Sequence, residues 1–154
     1  MEIRVQRLDP ALPLPEPQHL HDAGVDLHAR DDARLAPAGG RALVPTGIAI
    51  AIPPGHGGFV LPRSGLALRH GVTCLNAPGL IDAQYRGEVK VLLVNTDPTE
   101  PFTVHRGDRI AQLVVLAVRE IEWSAVDRLD DTTRDTFGFG STGGFGDGAR
   151  GSGG

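Results

Sequence analysis

The sequence predicts an all-β domain, a barrel or sandwich of many short strands, with one short helix and a glycine-rich C-terminal arm. Three observations carry that reading. All twelve prolines lie at or before Pro101, scattered so that no long helix survives among them. Short β-branched segments run between them, at 42–44, 47–52, 59–61 and 88–95. The last 17 residues, from Gly138, hold nine of the chain's 21 glycines, a composition that packs no core of its own and predicts a mobile segment.

The elements follow in order. Residues 1–7 alternate polar and apolar like a strand and lack the apolar run of a secretion signal. Residues 23–29 also read as a strand, with Asp26 inside it; a carboxylate there needs a partner, a metal or solvent. Ser64 suits an N-cap, residues 66–70 suit a helix, and Gly71 suits its stop. Pro78-Gly79 suits the centre of a type II turn, hence a tight hairpin. Residues 109–122 are long enough for one bent strand or two successive ones. The Asp-, Thr- and Arg-rich stretch 127–136 reads as a linker, so the expected organisation is a β domain over 1–126 and an arm over 127–154.

Bulk properties narrow the function. A chain of 154 residues, 40% hydrophobic, suffices for one folded domain. No stretch has the apolar length that crosses a bilayer, so the expectation is no membrane and, by default, the cytoplasm. The net charge of -4 argues against non-specific nucleic-acid binding. Cys74 is the sole cysteine, which excludes an intrachain disulfide, a Cys-based zinc cluster and zinc-dependent nucleobase deamination. Lys90 is the sole lysine, a skew that genomic base composition explains. The six histidines show no paired metal spacing and read as surface or turn residues.

Four blocks could carry chemistry. Pro62-Arg63-Ser64-Gly65 ends a strand and opens the helix, where free amides, a hydroxyl and a guanidinium make an anion site; spacing alone favours an ordinary cap with a solvated arginine. The turn 75–82 offers backbone donors and acceptors to the edge of a base, or is simply a hairpin. In 82–88, Asp82 could hold a water and Tyr85, the only tyrosine, could wall off a sugar; turn chemistry is the equal alternative. Residues 106–112 are either a salt-bridged hairpin end or a ligand site.

Their order is more telling than any one of them. Ala23-Gly-Val-Asp-Leu-His-Ala29, Pro62-Arg-Ser-Gly-Leu-Ala67, Gly79-Leu-Ile-Asp-Ala-Gln-Tyr-Arg-Gly-Glu88, Arg106-Gly-Asp-Arg-Ile-Ala-Gln-Leu113 and Gly138-Phe-Gly-Ser-Thr-Gly143 resemble, in sequence, the five motifs of the trimeric dUTPases. They span most of the chain.

The resemblance implies a jelly-roll-like β-barrel subunit and a homotrimer whose active sites draw on all three chains. It implies Mg²⁺-assisted hydrolysis of dUTP to dUMP and pyrophosphate, keeping uracil out of DNA and supplying dUMP for dTTP synthesis. Arg63, Ser64 and Gly65 would hold phosphates, helped by Gln112 and Arg109. Asn76 and the backbone at Leu80 and Ile81 would read uracil; Asp82 would bind the sugar hydroxyl and the attacking water. Tyr85 would lie below the deoxyribose and leave no space for a 2′-hydroxyl. Lys90 matches a basic residue beside the substrate, and Asp26 would reach the metal only through water. In the arm, Arg134 would meet the γ-phosphate and Phe139 would stack on uracil, although Asp135-Thr-Phe departs from the family's glycine-flanked form. The nearest alternative is a dCTP deaminase of the same fold; another is a non-catalytic trimeric β module.

Overall fold

The computed structural model describes residues 1–132. The chain divides into two units, Met1–Glu120 and a second that starts at Ile121. In the second, residues 121–132 are exposed and carry no strand or helix, with Arg128 and Asp131 paired at 2.7 Å. The expectations for Arg134, Phe139 and the glycine-rich tail lie outside the described residues.

The first unit is all-β apart from one helix. One sheet runs β1 (Arg4–Arg7), β4 (Arg41–Ala51), β8 (Glu88–Asn95), β6 (Val72–Cys74); a second runs β2 (Val25–His28), β10 (Arg109–Ala117), β5 (His56–Leu61), β7 (Gly79–Ile81). A ribbon pairs β3 (Ala33–Leu35) with β9 (Phe102–Val104), and every pairing is antiparallel. Inward residues of all three form one core, including Val44, Val72, Val91 and Leu93 from the first sheet, Leu27, Val60, Ile81 and Ile110 from the second, and Leu35 and Val104 from the ribbon. Burying each such side chain stabilises the fold by about 1.5–3 kcal/mol. The pairings leave open edges, so the jelly-roll-like form is a sandwich rather than a closed barrel. Among the described residues no helix is long and apolar enough to cross a membrane.

Segments 42–44 and 47–51, which the sequence separates, belong to one strand, β4, with Ile52 just beyond its end. Its register against β8 shifts between Pro45 and Ala49. Proline cannot donate to a ladder and settles at such irregularities. Gly47 takes φ +74° there, and a Cβ on it would sit 2.9 Å from the Asp9 Cβ. Conversely, the strand expected over 109–122 ends at Ala117. The three-residue strands β3, β6, β7 and β9 are too short for a period to show.

Helix α1 (Ser64–His70) ends as expected, with Gly71 at φ 61° and its N–H bonded to Ala67 and Leu66 carbonyls. Its start differs: Arg63 is the N-cap, still extended at φ −94° and ψ 125°, with no side-chain cap, and Ser64 is the first helical residue. The Arg63 side chain is engaged elsewhere, as described below. The type II hairpin at Pro78-Gly79 is also corrected. Ala77–Pro78 is a cis peptide, Gly79 has no positive φ and already belongs to β7, and the turn carries the chain from one sheet to the other.

Candidate active site

The site residues expected on described positions fall into two groups on the folded chain. The first gathers around Asp26 on β2. Its side chain, 5% exposed, lies between two guanidinium groups: Arg63 Nε is 3.1 Å from Oδ1, and Arg109 Nη1 is 3.1 Å from Oδ2. Arg63 Nη1 also donates to the Arg109 carbonyl at 3.0 Å, and Arg109 Nη1 reaches Gln18 Oε1 at 3.2 Å. The Arg63 Nε–H is not aimed at Oδ1, so those two atoms attract as charges while each lacks a hydrogen-bond partner.

A bulge builds this face. The β10–β2 register runs Arg109 to His28, then Ala111 to Leu27 and Gln112 to Asp26, leaving Ile110 as an extra residue. In a regular strand residues three apart point to opposite faces; the extra residue restores Arg109 and Gln112 to the same one. Ile110 and Ala111 are accordingly both buried while Arg109 and Gln112 are exposed. Just beyond, Leu66 and Ala67 donate the first intrahelical bonds, to the Arg63 carbonyl at 3.1 Å, so the amides of Ser64 and Gly65 precede the helical ladder.

His28 corrects an expectation. It stands in β2, inside the strand expected over 23–29, and is half-buried with Nδ1 unpartnered rather than a surface or turn residue. Burial pushes its pKa down; Asp26 opposes that, while Arg109 and Arg63 reinforce it. In the block 106–112 both arginines are ion-paired, Arg106 with Asp9 and Arg109 with Asp26. Arg106 is structural, bonded to Asp9 and to the Arg30 carbonyl, and it holds the Asp9 carboxyl below its ordinary range. Arg109 and Gln112 share the face on which Asp26 and Arg63 meet.

The second group surrounds a cleft of about 430 Å³ lined by Leu80, Ile81, Asp82, Tyr85 and Lys90, with Leu43, Glu88 and Val89. Asp82 is exposed, immediately after β7. Among the described residues β7 pairs only with β5, so its other edge leaves backbone donors and acceptors unpaired there. Ile81 points into the core at 7% exposure while the Leu80 side chain is 63% exposed. Asn76 lies at the other end of β7, its side-chain Nδ2 packed 3.3 Å from where a Cβ of Gly79 would be. Leu43 and Gln18 carried no signal in the sequence, because the chain brings them to these places from distant segments.

The two groups are apart on one chain. Ile81 faces Gly58 on β5, and Arg63 lies five residues further along an extended backbone. At ~3.3 Å per residue that is roughly 16 Å, so one chain does not place Arg63 beside Asp82.

One face of this β-sandwich thus carries Arg63 and Arg109 around Asp26, and a separate cleft holds Asp82 and Tyr85 beside an open strand edge. The family model of the dUTPases matches residues 11–143. The deoxyuridine 5'-triphosphate nucleotidohydrolase of Thermobifida fusca is 56% identical over 149 residues, 97% of this chain and 83% of that protein. That of Corynebacterium glutamicum is 57% identical over 141 residues, covering 92% and 94%. The chain belongs to the dUTPase family. Among solved structures, the Staphylococcus bacteriophage 80alpha dUTPase with dUpNHpp superposes with a TM-score of 0.82 at 26% identity, over 92% of this chain and 98% of that one. A mutant dUTPase from S. aureus phage phi11, in which a structural Mg(II) ion is coordinated, shares the fold with a TM-score of 0.75 at 23% identity, covering 85% and 100%.

Proposed function

We propose that this protein hydrolyses dUTP to dUMP and pyrophosphate in sites shared between subunits of a homotrimer. The observation that carries the reading is Asp82: an exposed carboxylate in a cleft with Tyr85, directly after a strand whose free edge can pair with a base. Uracil presents acceptor, donor, acceptor; cytosine presents a different order and would leave site groups unpaired. The backbone at Leu80 and Ile81, with Asn76, reads the base, and Tyr85 closes the sugar's 2′ side. Asp82 accepts a proton of the attacking water and orients it in line with the α-phosphorus.

Phosphates need the other group. Arg63, Arg109 and Gln112 present positive charge and donors, and Ser64 and Gly65 bring a hydroxyl and uncommitted amides. The separation along β5 supports a site in which the phosphate side comes from a second subunit. Lys90, in the cleft beside Asp82, adds positive charge near the nucleotide. Arg134 and Phe139 are proposed to complete the site from the arm, excluding water when it closes.

The donor set suits Mg²⁺ held chiefly by the triphosphate. Among the described residues no three His, Cys, Asp or Glu side chains converge on a metal position. Asp26 Oδ1 is a buried acceptor without a hydrogen bond, fit to receive one from a metal-bound water. Bound Mg²⁺ would neutralise charge on the phosphates as the α–β bond breaks.

Pyrophosphate release measured with dUTP, dCTP, dTTP and UTP in the presence of Mg²⁺ tests the proposal. Release from dUTP alone supports it. Ammonia released from dCTP would instead identify a deaminase, and no turnover of any substrate would leave a binding module.

A further inference from the structure

We infer that Gly87 is a positioning residue for substrate selection, glycine because the ring of Tyr85 occupies the space its side chain would need. The inference rests on the reading of Tyr85 as the wall against a 2′-hydroxyl. Gly87 has no positive φ, so its backbone does not require glycine. Space does. A Cβ there would lie 2.6 Å from Tyr85 Cζ and 3.0 Å from Cε2, and closer still to the hydroxyl oxygen.

The ring has little freedom to give way without leaving its place. The Tyr85 hydroxyl donates to the Glu88 carbonyl at 3.1 Å, and the Tyr85 amide to the Asp82 carbonyl at 3.0 Å. Arg86 Nη1 draws in the carbonyls of Ala83 and Tyr85 at 2.6 and 2.7 Å. Glu88 is itself fixed, its Oε1 accepting from Arg30 Nη1 and from the Gly47 amide, both at 2.9 Å. The ring thus folds back over Gly87 with its tip tied to the start of β8, and what remains of it borders the cleft with Asp82 and Lys90. A methyl group at position 87 breaks the Tyr85–Glu88 bond and swings the ring, while Asp82 and the strand edge keep their places.

The test is a cycle of Gly87→Ala, Tyr85→Ala and the double variant, comparing kcat/KM for dUTP with that for UTP. Rejection of one added hydroxyl by a fitted pocket has a scale of ~10². Gly87→Ala should therefore lower the dUTP preference by roughly 10-fold or more, and add less than about twofold once Tyr85 is already alanine. Because Tyr85 is the only tyrosine, incorporated 3-fluorotyrosine reports its ring as one ¹⁹F resonance, which Gly87→Ala should shift in the folded protein. An unchanged preference and resonance in Gly87→Ala, with the preference lost in Tyr85→Ala, overturns the inference but spares the sugar wall. A preference intact in Tyr85→Ala removes both. Equal losses from Gly87→Ala in the two backgrounds also overturn it, since the glycine would then act through something other than the ring.

Discussion

Arg109 and Gln112 project from the same face of one strand although three positions separate them, because Ile110 is accommodated as an extra residue opposite β2. The displacement aligns a guanidinium and an amide with Asp26 and, at the end of β5, with Arg63. Catalysis on the proposed reading needs this face and the Asp82 cleft together, and each makes distinct predictions.

On the proposed reading, Asp82→Asn removes the proton acceptor and keeps the shape. Turnover of dUTP should fall by roughly 10²–10⁴, the usual scale for a lost general base, while binding of a non-hydrolysable dUTP analogue stays within a fewfold. Calorimetry and pyrophosphate release separate the two quantities; near-normal kcat would take the base role away from this carboxylate.

Asp26→Ala leaves Arg63 and Arg109 facing each other without the anion between them. The carboxylate is buried but both arginines reach solvent, with side-chain exposures of 24% and 44%, so the cost is below that of a fully buried pair. About 1–3 kcal/mol of stability should be lost, read as a lower urea midpoint at unchanged slope. A midpoint equal to the parent's would mean the triad adds nothing to folding.

These two sites were unequally legible in the sequence. The order of short motifs marks Asp82, Tyr85, Arg63 and Gln112 as candidates only through its resemblance to the trimeric dUTPases; turn and cap signals alone mark where strands end. What stayed hidden was tertiary. Glu88 meets Arg30 across 58 positions, and nothing local in Arg86-Gly87-Glu88 announces that partner. A bulge does not disturb composition, so the shared face of Arg109 and Gln112 could not be read from alternation. Ser64 looked like a cap because serine caps helices, yet the extended Arg63 holds that place while its side chain pairs with Asp26.

Cys74 faces the core, and burial pushes its thiol pKa up from 9.0 to about 11. A raised thiol pKa means the folded state disfavours the thiolate. The associated stability is fully present below pH ~9 and lost progressively as pH rises toward 11, because the unfolded chain ionises first. At pH 8 a thiol reagent such as DTNB should modify the native protein far more slowly than the urea-unfolded one. Equal rates in the two states would show that the thiol is accessible in the fold.

Shared sites are testable by complementation. On the proposed reading, the Asp82→Asn and Arg63→Ala variants should each be nearly inactive, one lacking the base and the other a phosphate contact. If a complete site takes Asp82 from one chain and Arg63 from another, unfolding the two variants together and refolding them as a mixture restores some intact sites. For random assembly at equal amounts, half the chains carry each intact residue, so roughly a quarter of the sites should be whole and activity should return to about that fraction of the parent's. Sites confined to one chain give no recovery in any mixture, because every chain is defective. The roughly 16 Å of strand between Gly58, opposite Ile81, and Arg63 leads us to expect recovery.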